Sequence, residues 1–219
     1  MRLARKGYDV AVHYNKSRAQ AEELRDQLVH LGVACKLFEA DFNDTADTAA
    51  LVEQVHQELP NLQLLINSAS VFHPVDFLKS DENDIDDNIN VHLRAPYLLT
   101  REFARTVGKG QIINIVDASF VRYETAFFAY QLTKKSLVEL TLMSARRLAP
   151  EIRVNAIAPG LVLPPEGKSG TDFEQKMEAN PLKRRGQVED VVEALDYLLT
   201  QQHVTGQVLF VDGGEHIDF

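Results

Sequence analysis

Residues 111–160 read QIINIVDASFVRYETAFFAYQLTKKSLVELTLMSARRLAPEIRVNAIAPG, and this stretch decides the fold. It begins with a run of β-type residues at 111–117, continues with helical spacing over 127–149, and returns to a β-type run at 152–160. Pro150 ends the helix before the second strand. Two strands that are joined through a helix run parallel in one sheet, so the stretch predicts a βαβ unit.

The rest of the chain continues the alternation of strand and helix on both sides of this unit. The further strands are nearly continuous apolar runs, which is typical of a parallel sheet covered by helices on both faces. We therefore predict an α/β fold, a doubly wound parallel sheet of the Rossmann type, in a single domain over 1–219. Ligands bind beyond the carboxyl ends of the strands in such sheets. We expect strands at 8–14, 33–40, 62–70 and 206–214, and helices at 17–32, 45–59, 85–107 and 188–200.

The composition excludes several classes of protein. The chain has 219 residues, of which 45% are hydrophobic and 25% charged, as in an ordinary globular domain. The net charge of -9 argues against nucleic acid, whose binding proteins present a basic face. Cys35 is the single cysteine, and no apolar run is long enough to span a membrane, so we expect a cytoplasmic protein. The seven histidines show no metal-ligand spacing, so we expect no metal.

The sequence has no glycine-rich turn of the kind that holds a dinucleotide. A dinucleotide-binding sheet opens with a strand, that turn, and a helix whose N-terminus binds the pyrophosphate. The glycine pair in GKG at 108–110 precedes a strand rather than a helix. The chain starts with RLARKG at 2–7, which is typical of a helix end leading into the first visible strand. From the residues alone, a domain that binds no nucleotide stays an open alternative.

Tyr130 and Lys134 are candidates for acid–base chemistry. They lie four residues apart in AYQLTK, so they share one face of the predicted helix. A free tyrosine has a pKa of about 10, and a neighbouring ammonium favours the phenolate, so we expect Lys134 to lower the pKa of Tyr130. The alternative is a tyrosine that packs on one face of the helix and a lysine in solvent.

Polar and small residues follow strands whose carboxyl ends should meet. Asp117 ends the strand at 111–117, where its carboxylate could orient a ring nitrogen or pass on a proton, or could turn the chain. The segment NSAS at 67–70 has small side chains that let the backbone approach a flat ligand, or it is a plain turn. Phe72 could form a wall for an aromatic ring or belong to the core.

The segment HYNKS at 13–17 follows the first visible strand, where a dinucleotide fold meets the adenosine ribose. An acidic residue at this place favours NAD, but the segment has Asn15, Lys16 and Ser17. A cation and a hydroxyl at a helix start suit a 2′-phosphate, so the expected cofactor is NADPH. The alternative is a solvated lysine and a serine that caps the helix.

Together these segments resemble the short-chain dehydrogenase/reductase family. Tyr130 and Lys134 match its Tyr-x-x-x-Lys motif, and NSAS at 67–70 matches its Asn-Asn-Ala-Gly segment. Asn90 in NINVHLRAP falls in the family's order. The dipeptide PG at 159–160 and VDGG at 211–214 follow in that order.

Two residues narrow the resemblance to the pteridine reductase branch, which includes dihydromonapterin reductases. Most family members carry a catalytic serine 13 residues before the tyrosine, and Asp117 stands at that place, as aspartate does in pteridine reductases. Phe72 matches the aromatic residue that stacks on the pterin in that branch, and HYNKS resembles the branch's NADPH-selecting segment.

The resemblance implies NADPH-dependent reduction of a dihydropterin, with hydride passing to a ring C=N beside Phe72. It implies that Tyr130, coupled to Asp117, supplies the proton, that Lys134 binds the nicotinamide ribose, and that Asn90 holds a water that links Lys134 to solvent. The residues implied to bind the substrate are Ser70, Phe72, Asp117 and Tyr130. Those implied to bind the cofactor are Asn15, Lys16, Ser17, Asp41, Phe42, Ser68, Ala69, Ser70, Tyr130, Lys134, Pro159 and Gly160.

Two departures from the family pattern bear on what the resemblance implies. Ser68 stands where the family has the second asparagine of its turn. The family's first strand and its Thr-Gly-x-x-x-Arg-x-Gly loop have no counterpart before RLARKG, so we expect a chain truncated at its N-terminus relative to the family. Because that strand lies beside the strand at 8–14 in the family's sheet, we expect a gap with unpaired backbone groups there.

Two other functions stay open. One is carbonyl reduction, as by the family's 3-oxoacyl-carrier-protein reductases, although Asp117 in place of serine argues against it. The other is a non-catalytic family member that acts as an oligomeric or interaction subunit, which the missing first strand motivates. We also expect residues 161–180 to close over the site, and a homotetramer that forms through the helices at 85–107 and 127–149 and the C-terminal strand.

Overall fold

The computed structural model describes residues 1–72, 74–123, 127–163 and 180–217, and over these ranges helices and strands alternate. The strands are β1 Val10–Tyr14, β2 Cys35–Glu39, β3 Leu64–Asn67, β4 Gly110–Ile115, β5 Ile152–Pro159 and β6 Val208–Val211. The α-helices are α1 Arg2–Arg5, α2 Arg18–His30, α3 Thr45–Glu58, α4 Glu82–Ile89, α5 Ala95–Thr106, α6 Phe128–Leu148 and α7 Val188–Thr200. A π-helix, Asn90–Arg94, joins α4 to α5, and short 3-10 helices lie at Ala118–Val121 and Glu215–Ile217.

Aspartate side chains fix where two of the helices begin. Asp44 accepts hydrogen bonds from the backbone of Ala46 and Asp47 at the start of α3, at 2.7 and 3.2 Å. Asp81 and Asp84 form a reciprocal capping box at the start of α4. Caps of this kind stabilise a helix by about 1 kcal/mol each, so they define the register in which α4 enters the π-helix.

All strand pairs are parallel, as predicted, but the strands form two sheets. β1 pairs with β2, and the second sheet has the order β3-β4-β5-β6. Ile113 of β4 and Ile157 of β5 are fully buried, so the core follows the middle of the larger sheet. The α/β fold with a parallel sheet is confirmed, and the sheet is interrupted between β1 and β3.

A cavity of about 1590 Å³ lies between β1 and β3. Among the residues that line it, the buried Asn67 Oδ1 and His56 Nδ1 atoms have no hydrogen-bond partner in the described part of the chain. The gap expected between these strands is therefore present, and buried polar atoms beside it lack partners among the described residues. Such atoms cost free energy unless another group satisfies them.

The edge of β1 that faces the cavity can be assigned from its bonds to β2. The Val10 N–H donates to the Ala34 carbonyl at 2.9 Å, so Val10 points its backbone groups at β2. Because these directions alternate along a strand, the backbone groups of Ala11 and His13 point the opposite way, into the cavity.

The facing edge on β3 follows from its bonds to β4. The Gln63 carbonyl accepts from the Gln111 N–H at 2.9 Å, so Gln63 points at β4. By the same alternation, the backbone groups of Leu64 and Ile66 point into the cavity. Two parallel strands thus present open edges to one space.

We expect the backbone amides of Ala11, His13, Leu64 and Ile66 to exchange with solvent roughly a hundredfold faster than that of Ile113, because only the last is paired within a sheet. Hydrogen exchange followed by NMR measures each amide separately. Equal protection at Leu64 and Ile113 would contradict the open edge.

The register of β3 against β4 brings two candidate strand ends together. Asn67 lies opposite Asn114, and its Nδ2 donates to Asn114 Oδ1 at 2.8 Å. Asn114 Nδ2 in turn donates to Thr141 Oγ1 of α6 at 2.8 Å. These buried hydrogen bonds place the segment after β3, the end of β4 and helix α6 at one edge of the sheet.

Among the described residues, no helix is long and apolar enough to cross a membrane.

Candidate active site

A hydrogen bond joins the predicted catalytic tyrosine to the aspartate at the end of β4. The Tyr130 hydroxyl donates to Asp117 Oδ2 at 2.8 Å. The other carboxylate oxygen of Asp117 accepts from the Ser119 N–H at 2.8 Å and starts the 3-10 helix at Ala118–Val121. The chain-turning interpretation of Asp117 therefore holds for one oxygen, the other oxygen holds Tyr130, and a role toward a ring nitrogen or a proton stays a prediction.

Burial and the Asp117 carboxylate raise the pKa of Tyr130 well above its usual range. The expectation of a lowered pKa is therefore wrong as the net result, because burial and the carboxylate outweigh the effect of the Lys134 ammonium. The Lys134 ammonium lies 5.6 Å from the centre of the Tyr130 ring, whereas the carboxylate contacts the hydroxyl directly. Tyr130 is consequently held as a protonated hydrogen-bond donor.

Lys134 is buried, with 3% of its surface exposed, so the alternative of a lysine in solvent is wrong. Its Nζ donates to the Ile115 carbonyl at 3.0 Å. Burial lowers the pKa of Lys134 to about 8, and the charge of Asp117 partly opposes this effect. An ammonium has three donors, and the described residues provide no second acceptor, so two donors are available to ligand hydroxyls.

We expect wild-type protein to gain stability relative to a Lys134→Met variant as the pH rises from about 8 to 10.5. In this window the folded state has released the lysine proton, whose pKa is about 8 there against 10.5 in the unfolded chain. The unfolded state then binds more protons, so the free energy of unfolding rises with pH, in total by up to about 3 kcal/mol.

Urea unfolding at a series of pH values measures this difference. The matched control is Lys135→Met, which removes a neighbouring ammonium that is not buried and should not reproduce the pH dependence. A difference between wild type and Lys134→Met that stays constant from pH 7 to pH 10.5 would contradict a buried lysine with a lowered pKa.

Phe72 and Phe127 form an aromatic wall beside the tyrosine. Their rings stack with centroids 4.5 Å apart and planes 9° from parallel. Phe72 also meets the Tyr130 ring edge-on, at 4.8 Å. Since 42% of Phe72 is exposed, its alternative as a core residue is not supported, and part of its surface is open to a planar ligand.

His92 is the residue of this site that the sequence analysis missed. Its Nε2 lies 3.0 Å from Ser70 Oγ and accepts from the Val71 N–H at 3.1 Å, and its Nδ1 lies 3.1 Å from Thr133 Oγ1. These contacts of His92 connect the segment after β3 to helix α6. The available signal was a histidine directly between the apolar residues Val91 and Leu93, two positions after Asn90.

Asn90 has hydrogen-bond partners of its own. Its Nδ2 donates to Asn43 Oδ1 at 2.7 Å, and its Oδ1 accepts from the Arg94 guanidinium. No direct hydrogen bond links Asn90 to Lys134 within the described ranges. The water-holding role of Asn90 stays a prediction.

The segment expected to select the cofactor lies at the carboxyl ends of β1 and β2. Asn15 Nδ2 donates to Asp41 Oδ1 at 3.2 Å, which joins the two strand ends. Lys16 and Ser17 are exposed, and Ser17 begins α2 without a side-chain capping bond. Ser17 thus occupies the N-cap position, as the alternative predicts, but its hydroxyl makes no capping bond, and this hydroxyl and the Lys16 ammonium suit an anionic group.

Other residues expected near the cofactor differ in how they are placed. Ser68 and Ala69 are exposed after β3, so their backbone can approach a ligand. Phe42 is buried and stacks on His13, with ring centroids 4.2 Å apart, so its ring belongs to the core. Pro159 ends β5, as predicted, at the same edge of the sheet.

Gly160 is explained by packing of the C-terminal segment. A Cβ at this position would lie 2.8 Å from Asp212 Cβ and 3.0 Å from Glu215 Oε2. The Gly160 N–H donates to the Val211 carbonyl at 3.0 Å. The close approach of β5 to the turn after β6 therefore requires glycine, whatever the ligand.

Within the described ranges, no cluster of three or more histidine, cysteine or acidic side chains could hold a metal ion. The loop at 161–180, which was expected to close over the site, lies largely outside the described residues, since 164–179 are not among them.

Comparison with known proteins identifies the class to which this site belongs. The sequence model of a family described as Enoyl-(Acyl carrier protein) reductase matches residues 1–216. The chain belongs to this family of short-chain dehydrogenases/reductases and is an oxidoreductase, which confirms the resemblance.

Particular relatives cover most of the chain. The dihydromonapterin reductase of Citrobacter koseri is 31% identical over 201 residues, covering 88% of this chain and 81% of the relative. The 3-oxoacyl-[acyl-carrier-protein] reductase FabG of Staphylococcus aureus is 28% identical over 225 residues, covering 99% and 92%. The crystal structure of FolM Alternative dihydrofolate reductase 1 from Brucella canis complexed with NADP has a TM-score of 0.90 at 32% identity, covering 99% and 87%.

Proposed function

We propose that this protein reduces a dihydropterin with NADPH. The observation that carries the proposal is the hydrogen bond from Tyr130 to Asp117, beside the exposed face of Phe72. Relatives named dihydromonapterin reductase and FolM Alternative dihydrofolate reductase 1 support the pterin class, and NADP in the FolM structure supports the cofactor.

The residues present fit the nicotinamide nucleotide at two places. Lys134 has two ammonium donors without partners among the described residues, and these suit the hydroxyls of the nicotinamide ribose. Lys16 and Ser17 provide a cation and a free hydroxyl for the 2′-phosphate, which favours NADPH over NADH. When bound, NADPH supplies a hydride.

Tyr130 supplies the proton that balances the hydride. A hydride added to the carbon of a ring C=N leaves an electron pair on the ring nitrogen, and that nitrogen then takes the Tyr130 proton. The buried Lys134 ammonium compensates the negative charge left on the phenolate. Asp117 holds the Tyr130 hydroxyl in place until the transfer.

The carboxylate at position 117 distinguishes a ring nitrogen from a carbonyl. Carbonyl reduction places developing negative charge on an oxygen, and a neighbouring carboxylate destabilises that charge. A ring nitrogen is more basic than a carbonyl oxygen and takes the Tyr130 proton as the hydride arrives, so less negative charge develops beside the carboxylate, and the resulting N–H can donate to Asp117. The 28% identity to FabG favours 3-oxoacyl reduction as the second candidate, and the charge of Asp117 opposes it.

We expect Tyr130→Phe to lower kcat for NADPH-dependent dihydropterin reduction by about 10² to 10⁴-fold, because the proton donor is removed. The decrease in NADPH absorbance reports turnover. The matched control is Tyr197→Phe, which removes a hydroxyl from a half-exposed tyrosine on α7 and should leave kcat unchanged.

Full activity in Tyr130→Phe would overturn the assigned role of the tyrosine. A substrate panel with the wild-type protein compares the two candidate reactions. A higher kcat/KM for a 3-oxoacyl thioester than for a dihydropterin would favour the second candidate. No turnover of either compound would favour the non-catalytic alternative.

We further propose a homotetramer in the cytoplasm. Apolar side chains are exposed on α5 and α6, including Tyr97, Leu132 and Met143, the last with 70% of its surface exposed. A soluble chain buries a patch of this kind against a partner.

Cys35 is a free thiol, which suits a reducing compartment.

Size-exclusion chromatography with light scattering tests the tetramer. We expect a mass four times the 24.6 kDa of one chain. Leu132→Glu together with Met143→Glu should reduce this mass, because charges would then face each other across the interface. A wild-type mass equal to one chain would contradict the proposal.

A further inference from the structure

His92 is a buried histidine to which the proposed reaction assigns no task. Only 1% of its surface is exposed, and it belongs to the π-helix between α4 and α5. Its ring lies edge-on to the Tyr130 ring, with centroids 5.3 Å apart. A wide turn of this type inserts one extra residue into a helix and frequently occurs at functional sites.

The partners of His92 define its tautomer. The Val71 N–H can only donate, so the Nε2 atom that it contacts at 3.1 Å carries a lone pair. Nδ1 therefore carries the hydrogen and donates to Thr133 Oγ1 at 3.1 Å. The Thr133 hydroxyl donates its own hydrogen to the carbonyls of Ala129 and Tyr130, both at 2.9 Å. Its oxygen therefore accepts the hydrogen on His92 Nδ1.

His92 is also neutral at physiological pH. Burial and the nearby charge of Lys134 lower the pKa of His92 to about 3. A neutral ring with one lone pair and one N–H keeps the same polarity over the whole range in which the enzyme would work.

The lone pair on Nε2 fixes the direction of the Ser70 hydroxyl. Ser70 Oγ lies 3.0 Å from Nε2, and two lone pairs at this distance would repel each other. The Ser70 hydrogen therefore points at His92 and shares the Nε2 lone pair with the Val71 N–H. To any other group, Ser70 Oγ presents only lone pairs, so it accepts hydrogen bonds but does not donate them.

We propose that His92 is a positioning residue that makes Ser70 an obligatory acceptor toward the ligand and holds the segment of Ser70, Val71 and Phe72 against α6. The inference rests on the proposed dihydropterin reduction. It assigns to this side of the site a ligand that presents an N–H donor, such as an aminopyrimidine edge, and disfavours a ligand that presents a carbonyl oxygen there.

The aromatic wall depends on the same contact. Val71, whose N–H is bound by His92, directly precedes Phe72. Phe72 in turn stacks on Phe127 and meets Tyr130 edge-on. Loss of the imidazole would therefore release both the Ser70 hydroxyl and the backbone that places the Phe72 ring.

Two substitutions of His92 separate positioning from filling of space. His92→Phe retains an aromatic ring but removes all three hydrogen bonds, with Ser70, Val71 and Thr133. His92→Gln retains an acceptor for Val71 and Ser70 and a donor for Thr133. With saturating NADPH, we expect His92→Phe to raise KM for the dihydropterin at least tenfold with a smaller change in kcat, and His92→Gln to stay within about threefold of wild type.

A double mutant tests whether His92 acts through Ser70. Ser70→Ala should raise KM on its own, and adding it to His92→Phe should cause little further loss, because the acceptor has already lost its orientation. Independent, multiplicative effects of the two substitutions would overturn the proposal, as would unchanged KM in His92→Phe or failure of glutamine to restore it. If His92→Phe does not fold, as judged by circular dichroism, the KM values of Ser70→Ala and His92→Gln test the proposal instead.

Binding of a fully oxidised pterin, followed by its fluorescence in the presence of NADP⁺, provides a readout that needs no turnover. Binding to wild type that weakens at least tenfold in His92→Phe and not in His92→Gln would support the positioning role even if no dihydropterin were reduced. In that case the proposed function alone would fail. Binding that is equal in all variants, or absent from wild type, would overturn the positioning role.

Discussion

The hydrogen bond between Tyr130 and Asp117 is the constraint on which the rest of the site depends. It requires that β4 end beside the first turn of α6, and the 3-10 helix capped by Asp117 makes that return possible. Because the pair is largely shielded from water, Coulomb effects there are stronger than at the surface. The carboxylate keeps the tyrosine protonated, and the buried Lys134 places a cation beneath both.

The site is divided between the two sheets. The larger sheet, its helices and the segments that follow its strands contribute Asp117, Tyr130, Lys134, Ser70 and His92. Hydrogen bonds among side chains and backbone groups hold these residues in place. Asn15, Lys16 and Ser17 belong to the two-stranded sheet across the cavity. Proton transfer therefore depends on contacts that form within the larger sheet and its helices. A nucleotide that binds both Lys134 and the residues at 15–17 would span the open edges of β1 and β3.

Strand and helix order could be predicted from the sequence because apolar runs and proline breaks report local structure directly. The resemblance to pteridine reductases, which implied that Asp117 is coupled to Tyr130, likewise led to a pairing that the structure contains. Other features depend on interatomic distances in the folded chain, which the sequence pattern does not contain. The pKa of Tyr130 shifts upward because its hydroxyl is buried and because the carboxylate is closer than the ammonium. His92 was missed because a π-turn changes which residues of the stretch at 85–107 face the site, and Gly160 is required by the turn at Asp212 rather than by a cofactor.

Transfer of deuterium from cofactor to product tests the central claim most directly. The protein would be incubated with a dihydropterin and NADPH that carries deuterium at both positions of nicotinamide C4, and the product would be analysed by mass spectrometry. The account predicts a tetrahydropterin that contains one deuterium on the ring carbon of the reduced C=N bond. A tetrahydropterin without deuterium, or no reduced pterin at all while a 3-oxoacyl thioester gains the label, would contradict it.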